Sequence, residues 1–187
     1  MGKARSRMWV SLATTSLERF VMSQSATGHR LSGLILRLHD GVPYEVRYQI
    51  EVDHSWITRQ VEIELDNGGR RRLAMIRAVE AKWQLDGQPA PALDGCLDVD
   101  LEWSPSTNTL PIRRLADTLG GEQAVKAAWV RLPSLRVEPL EQTYQPIGPR
   151  RYLYRAGTFE VEIEVDDESL VTNYAGGWQA VRSGATS

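Results

Sequence analysis

Apolar and polar residues alternate one by one in four segments of this 187-residue chain. In the segment 44–52, for example, Tyr, Val and Ile alternate with Glu, Arg and Gln. Successive side chains of a strand point to opposite faces, so this period predicts β-strands with a buried apolar face and an acidic or polar face in water. Such one-sided strands are typical of antiparallel sheets. The other segments are 61–65, 97–103 and 159–165.

Short turn sequences separate the strands. Asp-Gly and Asn-Gly pairs supply the positive φ angles that tight hairpins need. These pairs lie at 40–41, 67–68, 86–87 and 94–95. Leu and Ile recur at helical spacing from Thr109 to Leu119, with Pro111 in the first turn. The pattern predicts a meander of hairpins that uses one helix as its plug or cover.

Length and composition suit a single domain over residues 1–187, with flexible ends at about 1–7 and 183–187. A net charge of −2 gives no general attraction to nucleic acid. Cys96 is the only cysteine and the histidines lack metal-ligand spacing, so no disulfide and no metal site is expected. The sequence has no cofactor motif and no apolar run of membrane-spanning length. We expect a soluble cytoplasmic protein without a cofactor, and the oligomeric state stays open.

Two carboxylates stand two residues apart on one predicted strand. Asp98 and Asp100 should share a face, with Cα atoms about 7 Å apart at a rise of ~3.3 Å per residue. Paired carboxylates at such separations can act as acid and base on a glycosidic bond. Arg113 and Arg114 on the following helix can instead hold them in structural ion pairs. We favour the ion pairs, because ion-pair networks often resemble active sites.

Hydroxyl and amide side chains occupy residues 104–108, between this strand and the helix. Asn108 and its neighbours can cap the helix, which is the commoner use, or hydrogen-bond sugar hydroxyls. Among the six tryptophans, Trp103 and Trp129 continue strand alternations and are expected in the core. Trp56 and Trp178 lie outside clear alternation, so they are candidates for the rim of a pocket.

Four motifs occur together in the second half of the chain. They are LDGCLDVDL at 93–101, TNTLPIRRL at 107–115, AWVR at 128–131 and YAGGW at 174–178. With these motifs the chain resembles the Putative glycolipid-binding family, a group of small bacterial and archaeal proteins. The resemblance implies a mainly β fold: a many-stranded antiparallel spiral β-roll, open and barrel-like, wrapped around one α-helix.

The same resemblance implies a lipid or glycolipid ligand, with its acyl chain in an apolar cavity of the curved sheet and its polar headgroup near the mouth. Two alternatives stay open: a hydrolase of a glycosidic or ester bond that uses the two strand aspartates, and a protein-interaction module with no small-molecule site. The candidate ligand-binding residues are Asp94, Asp98, Asp100, Asn108, Arg113, Arg114, Trp56 and Trp178.

Overall fold

The computed structural model describes residues 4–77, 82–116 and 120–181. These residues form fifteen strands in one sheet, one short α-helix and two 3-10 turns. The strands are β1 (Arg5–Ser11), β2 (Ser16–Ser25), β3 (Gly28–His39), β4 (Val42–Asp53), β5 (Thr58–Asp66), β6 (Arg71–Arg77), β7 (Trp83–Leu85), β8 (Gln88–Pro89), β9 (Asp98–Leu101), β10 (Gln123–Arg131), β11 (Arg136–Gly148), β12 (Arg151–Ala156), β13 (Phe159–Val165), β14 (Val171–Tyr174) and β15 (Trp178–Ala180). The helix α1 spans Thr109–Leu115, and the 3-10 turns span Pro91–Leu93 and Ser106–Asn108. β1 already begins at Arg5, within the stretch 1–7 for which the sequence predicted a flexible end.

The sheet is an open meander in which the first and last strands meet in the middle. Its strand order is β8-β7-β6-β5-β4-β3-β2-β1-β15-β14-β13-β12-β11-β10-β9. β1 pairs with β15, with Ser11 opposite Trp178. Neighbouring described strands are antiparallel except β9 and β10, which run parallel with Asp98 opposite Ala127. The predicted antiparallel sheet is therefore confirmed, with one parallel pair at its edge.

The sheet curves so strongly that its edge strand β9 reaches the start of β5. The Thr58 N–H donates to the Leu97 carbonyl at 3.0 Å, and Thr58 Oγ1 accepts from the Val99 N–H at 3.2 Å. The sheet is not closed into a barrel, because β8 and β9 remain its two edges. Leu110 and Ile112 of α1 are buried in the core. The predicted mainly β roll around one helix is confirmed.

The alternation correctly predicts the buried faces of β4, β5 and most of β13. Residues such as Ile50, Ile63 and Ile163 are fully buried. Phe159 was expected in the core but is 51% exposed, because it follows directly on the β12–β13 turn. The prediction for β9 is wrong: Asp98 was expected in water and is 1% exposed, because α1 covers that face. Both faces of β9 are therefore shielded from solvent.

The helix is shorter than the sequence pattern indicated, as far as it is described. α1 ends at Leu115, and the predicted residues 117–119 lie outside the described residues. Capping by Asn108, the interpretation favoured from the sequence, is wrong because its side chain makes no cap hydrogen bond. The Asn108 amide instead donates to the Pro105 carbonyl at 3.1 Å.

Antiparallel pairing gathers several turns at one end of the roll. The Leu12 N–H donates to the Gly177 carbonyl at 2.8 Å, which joins the β1–β2 connection to the β14–β15 turn. Because successive antiparallel strands reverse direction, alternate turns lie at this same end, which we call the cavity end. Its connections include residues 12–15, 40–41, 157–158 and 175–177, together with the segment 102–105 that follows β9.

Candidate functional site

A cavity of about 570 Å³ opens at the cavity end of the roll. We call it the aromatic cavity, because its walls include the rings of five aromatic side chains. These are Trp129, Tyr154, Phe159, Tyr174 and Trp178. The polar side chains of Asp100, Glu102, Ser104 and Asn108, all from one segment of the chain, also line it. Its volume lies within the range of about 300–1,000 Å³ that is typical of small-molecule sites.

The β14–β15 turn places two of these aromatic walls. Gly176 has a φ of 71°, a left-handed conformation that glycine adopts without steric cost. At the next position, an added Cβ on Gly177 would lie 2.8 Å from Cδ1 of Tyr174. The turn therefore needs both glycines of the sequence Gly176-Gly177 to bring Tyr174 and Trp178 together.

Asp100 is the polar centre of the aromatic cavity. Its carboxylate accepts a hydrogen bond from Thr107 Oγ1 at 3.0 Å and another from Gln142 Nε2 at 2.5 Å. Burial raises the pKa of Asp100 to about 6; the two hydrogen bonds oppose this rise, and the charges of Asp98 and Glu102 add to it. Asp100 therefore changes charge close to neutral pH.

Asn108 lines the same cavity and is held on both sides of its amide. Its Oδ1 accepts a hydrogen bond from the Tyr144 hydroxyl at 2.9 Å, while its Nδ2 bonds the Pro105 carbonyl. Gln142 and Tyr144, two residues apart on the inner face of β11, thus orient the two central polar groups. Sequence analysis missed Gln142 and Tyr144. Their spacing of two residues on one strand, which places them on the same face, is a signal that could have found them.

A second buried polar cluster lies behind Ser104, another residue of the cavity wall. Glu18 Oε1 accepts hydrogen bonds from Ser104 Oγ at 2.9 Å and from the Tyr48 hydroxyl. Ser106 Oγ lies 2.8 Å from the Tyr48 oxygen. Burial raises the pKa of Glu18 to about 7, against the lowering effect of the hydrogen bonds from Tyr48, Ser104 and Ser106. Sequence analysis missed Glu18, although it lies two residues before the buried Phe20 and therefore on the same face of β2.

Asp98 lies outside the aromatic cavity. Both of its carboxylate oxygens accept hydrogen bonds from Arg114, from Nε at 3.4 Å and from Nη2 at a shorter distance. The Arg114 side chain is 14% exposed, so the pair is almost entirely buried. It forms the structural ion pair that the sequence favoured, and only Asp100 of the two aspartates lines the cavity.

Arg113 and Trp56 meet at a different place. Arg113 donates twice to the Glu168 carbonyl, at 3.0 and 2.7 Å, and its guanidinium carbon lies 5.1 Å from the centre of the Trp56 ring. Trp56 also stacks on His29 at 4.2 Å. These residues line a separate cavity of about 280 Å³. Asp94 is exposed and contributes its carbonyl oxygen to Lys126.

The predicted site residues therefore do not converge on one place. Asp100, Asn108 and Trp178 line the aromatic cavity, whereas the two arginines and Trp56 lie elsewhere. Trp129, which was expected in the core, is half-buried in the cavity wall, while Trp103 is buried as expected. Across the described residues, no cluster of three or more His, Cys, Asp or Glu is suited to a metal ion. No helix in the described ranges has the length and apolar character that crossing a membrane requires.

Fold and cavity define a class of protein: an open β-roll around one helix, with an aromatic-walled cavity of ligand size at one end. The family described as "Putative glycolipid-binding" matches residues 6–180, so the chain belongs to this family. A crystal structure of a DUF1089 family protein from Pseudomonas aeruginosa has a similar fold, with a TM-score of 0.79 and 30% sequence identity. The similarity covers 88% of this chain and 91% of the other. No curated protein matches the sequence.

Proposed function

We propose that the protein is a non-catalytic binding module for a glycolipid, with the sugar headgroup in the aromatic cavity. The observation that carries the proposal is the combination of aromatic rings with a carboxyl group and an amide in one cavity of about 570 Å³. Sugars present apolar C–H faces, which suit aromatic rings, and hydroxyls, which need mixed donors and acceptors. Membership of the glycolipid-binding family supports the same ligand class.

The charge of the cavity favours sugar hydroxyls over a phosphate group. Asp100 and Glu102 line it, and none of the residues described as its lining is Lys or Arg. Arg131 stacks on the Trp129 ring of the wall, but it is engaged by Glu102 and Glu138. A phosphate would therefore face Asp100 without a cationic partner among the lining residues, whereas hydroxyl groups can donate to that carboxylate. The arginine contacts that the sequence suggested for a headgroup are thus not part of this proposal.

The burial pattern also favours one orientation of the ligand. Asn108 is buried and Asp100 is partly buried, whereas Phe159 is 51% exposed. We place the sugar inside, against Asp100 and Asn108, and the start of the acyl chain beside Phe159. This orientation is the reverse of the one predicted from the sequence, where the headgroup was placed near the mouth.

The test is calorimetric titration with octyl glucoside, preceded by native mass spectrometry for copurified lipid. Wild-type protein should bind octyl glucoside and should not bind octyl phosphate. Trp178→Ala and Asp100→Asn should each weaken binding at least about tenfold, the effect of losing about 1.4 kcal/mol of binding free energy. The matched control is Trp56→Ala, which removes a tryptophan from the separate 280 Å³ cavity and should leave the affinity unchanged.

Two outcomes would count against the proposal. One is equal loss of affinity in Trp56→Ala and Trp178→Ala. The other is a clean apo mass together with no heat of binding for any alkyl glycoside. Thermal unfolding of each variant separates loss of the site from loss of the fold.

A glycosidic or ester hydrolase is the second candidate, and one observation favours it. Asp100, with a pKa raised to about 6, lines the cavity together with Glu102, which accepts a hydrogen bond from the Leu132 N–H at 2.7 Å and pairs with the partly exposed Arg131 at 3.4 Å. Two carboxyl groups of different environment therefore line one space. The pair Asp98 and Asp100 is unsuited to this role, because Asp98 lies outside the cavity and is held by the largely buried Arg114. Release of nitrophenol from aryl glycosides or esters by wild-type protein, abolished in Asp100→Asn, would support the hydrolase over the binding module.

A further inference from the structure

The outer face of the first three strands has an unusual charge. The first 39 residues of the chain contain six Lys and Arg residues and one acidic residue, against 16 basic and 23 acidic residues in the remainder. The single acidic residue, Glu18, is fully buried on the inner face of β2. The outer faces of β1, β2 and β3 therefore carry no carboxylate, in a chain with a net charge of −2.

This same face exposes a continuous apolar surface. Val10 lies opposite Leu17 in the sheet, and Leu17 lies opposite Leu36. All three side chains are exposed, and a groove of about 520 Å³ runs between them and Leu38. We call Met8, Val10, Leu17, Leu36 and Leu38 the outer patch. Contiguous exposed apolar surface of this kind marks an interaction site more often than scattered residues do.

One unpaired arginine borders the outer patch. Arg19 lies opposite Met8 in the β1–β2 pairing, so it shares the outer face with Met8 and Leu17, and it has no ion pair within the described residues. Arg37 is not part of this face, because it lies opposite the buried Ser16 and its guanidinium stacks 4.7 Å from the centre of the Trp103 ring. Two nearby carboxylates are already engaged: Glu45 with Arg47, and Glu51 with Arg30. The patch is thus apolar and locally cationic.

The outer patch is also connected to the cavity end. The chain leaves β1 through Leu12, which is 54% exposed, and the Leu12 N–H donates to the carbonyl of Gly177 in the cavity wall. Leu38 precedes the β3–β4 turn at this same end. A flat surface that contacts the outer patch would therefore come close to the cavity opening.

We propose that the outer patch docks on the surface of an anionic lipid bilayer. The aliphatic side chains enter the boundary between headgroups and acyl chains, while Arg19 meets a lipid phosphate. Buried apolar area combined with attraction to anionic lipid is the general basis of interfacial membrane binding. This proposal does not depend on what the aromatic cavity binds.

The test is sedimentation with vesicles of two compositions, phosphatidylcholine alone and phosphatidylcholine with about a third of phosphatidylglycerol. Wild-type protein should bind the anionic vesicles more tightly, and rising salt should weaken that binding. Leu36→Glu should lower the partition coefficient about tenfold, the effect of losing roughly two buried CH2 groups. Arg19→Gln should lower it about fivefold, as expected for one basic residue near the surface.

The matched control is Ile147→Glu, another exposed aliphatic position, which lies in β11 at the opposite end of the roll. It should bind vesicles like wild-type protein. Both glutamate variants change exposed positions, and unchanged circular dichroism and melting temperature verify their folds. Equal vesicle binding by wild-type protein and Leu36→Glu would overturn the proposal, as would equal binding to both vesicle types. A dimer that Leu36→Glu dissociates, without vesicle binding by wild-type protein, would also overturn it and assign the patch to a second copy of the chain.

Discussion

Glu18 makes the stability of this protein depend on pH in a way that Glu18→Gln should remove. Burial raises the pKa of Glu18 from 4.5 to about 7 in the folded protein. A raised folded-state pKa means that the folded protein binds the proton more tightly than the unfolded chain does. The stabilisation that protonated Glu18 provides is therefore complete below pH 4.5. That effect declines as the pH rises through about 7. At about 1.4 kcal/mol per pKa unit, the loss is about 3 kcal/mol.

Glutamine is the neutral isostere of the protonated carboxyl group and does not titrate. When the pH rises from 4.5 to 8, the free energy of unfolding of Glu18→Gln should therefore increase by about 3 kcal/mol relative to that of wild-type protein. For a domain of this size, that corresponds to a relative rise in melting temperature of roughly 6–12 °C. Asp100 titrates over part of the same range, but it is present in both proteins and cancels in the difference.

The assay is urea denaturation of both proteins at a series of pH values, with Glu141→Gln as the matched control at an exposed position. The control should follow wild-type protein at every pH. If Glu18→Gln also runs parallel to wild-type protein across pH 4.5–8, Glu18 does not change its protonation on folding. The account of the buried cluster with Tyr48 and Ser104 would then be refuted.

Three further predictions concern the ion pair and the aromatic cavity. Asp98→Ala should lower the free energy of unfolding by about 3–5 kcal/mol, because it leaves the buried Arg114 unpaired; a loss below about 1 kcal/mol in urea denaturation would contradict this. Gly177→Ala should weaken octyl glucoside binding, because its Cβ would lie 2.8 Å from the Tyr174 ring; unchanged affinity in calorimetry would show that the ring position is immaterial. Wild-type affinity should rise with pH through about 6 as Asp100 ionises, whereas Asp100→Asn should give a flat profile; matching profiles would place the titrating group elsewhere.

The sequence predicted the fold well, because the pattern that indicates each strand lies within a few neighbouring residues. The alternation around Ile50 and Ile63 depends only on neighbouring residues, and each strand repeats the same signal. The prediction failed where tertiary structure reversed the usual polarity. Alternation identifies two faces but not which of them meets water, so Asp98 points inward against expectation, and the inward-facing Glu18 was not predicted at all. In both cases another element covers that face and supplies polar partners.

The site was harder to predict because its residues come from distant parts of the chain. Asp100 follows from a local motif, but Trp178, which lines the same cavity, belongs to β15, six strands away from β9 in the sheet order. Adjacent helical residues diverge by about 100°, which is why Arg113 and Arg114 contact different partners, Glu168 and Asp98. Sequence proximity therefore placed them in one headgroup site that the geometry separates.

Three carboxyl groups face the interior, and they differ in whether a cation neutralises them. Asp98 is neutralised by a guanidinium, the arrangement that a buried charge needs. Asp100 and Glu18 have no such cation and only neutral hydrogen-bond donors, so burial raises the pKa of both. Their deprotonated forms therefore lower stability near neutral pH. Asp100 lines the aromatic cavity and Glu18 supports its wall through Ser104. The ligand site that we propose in this cavity would account for two destabilising groups at one place, in contrast to the well-paired interior around Asp98.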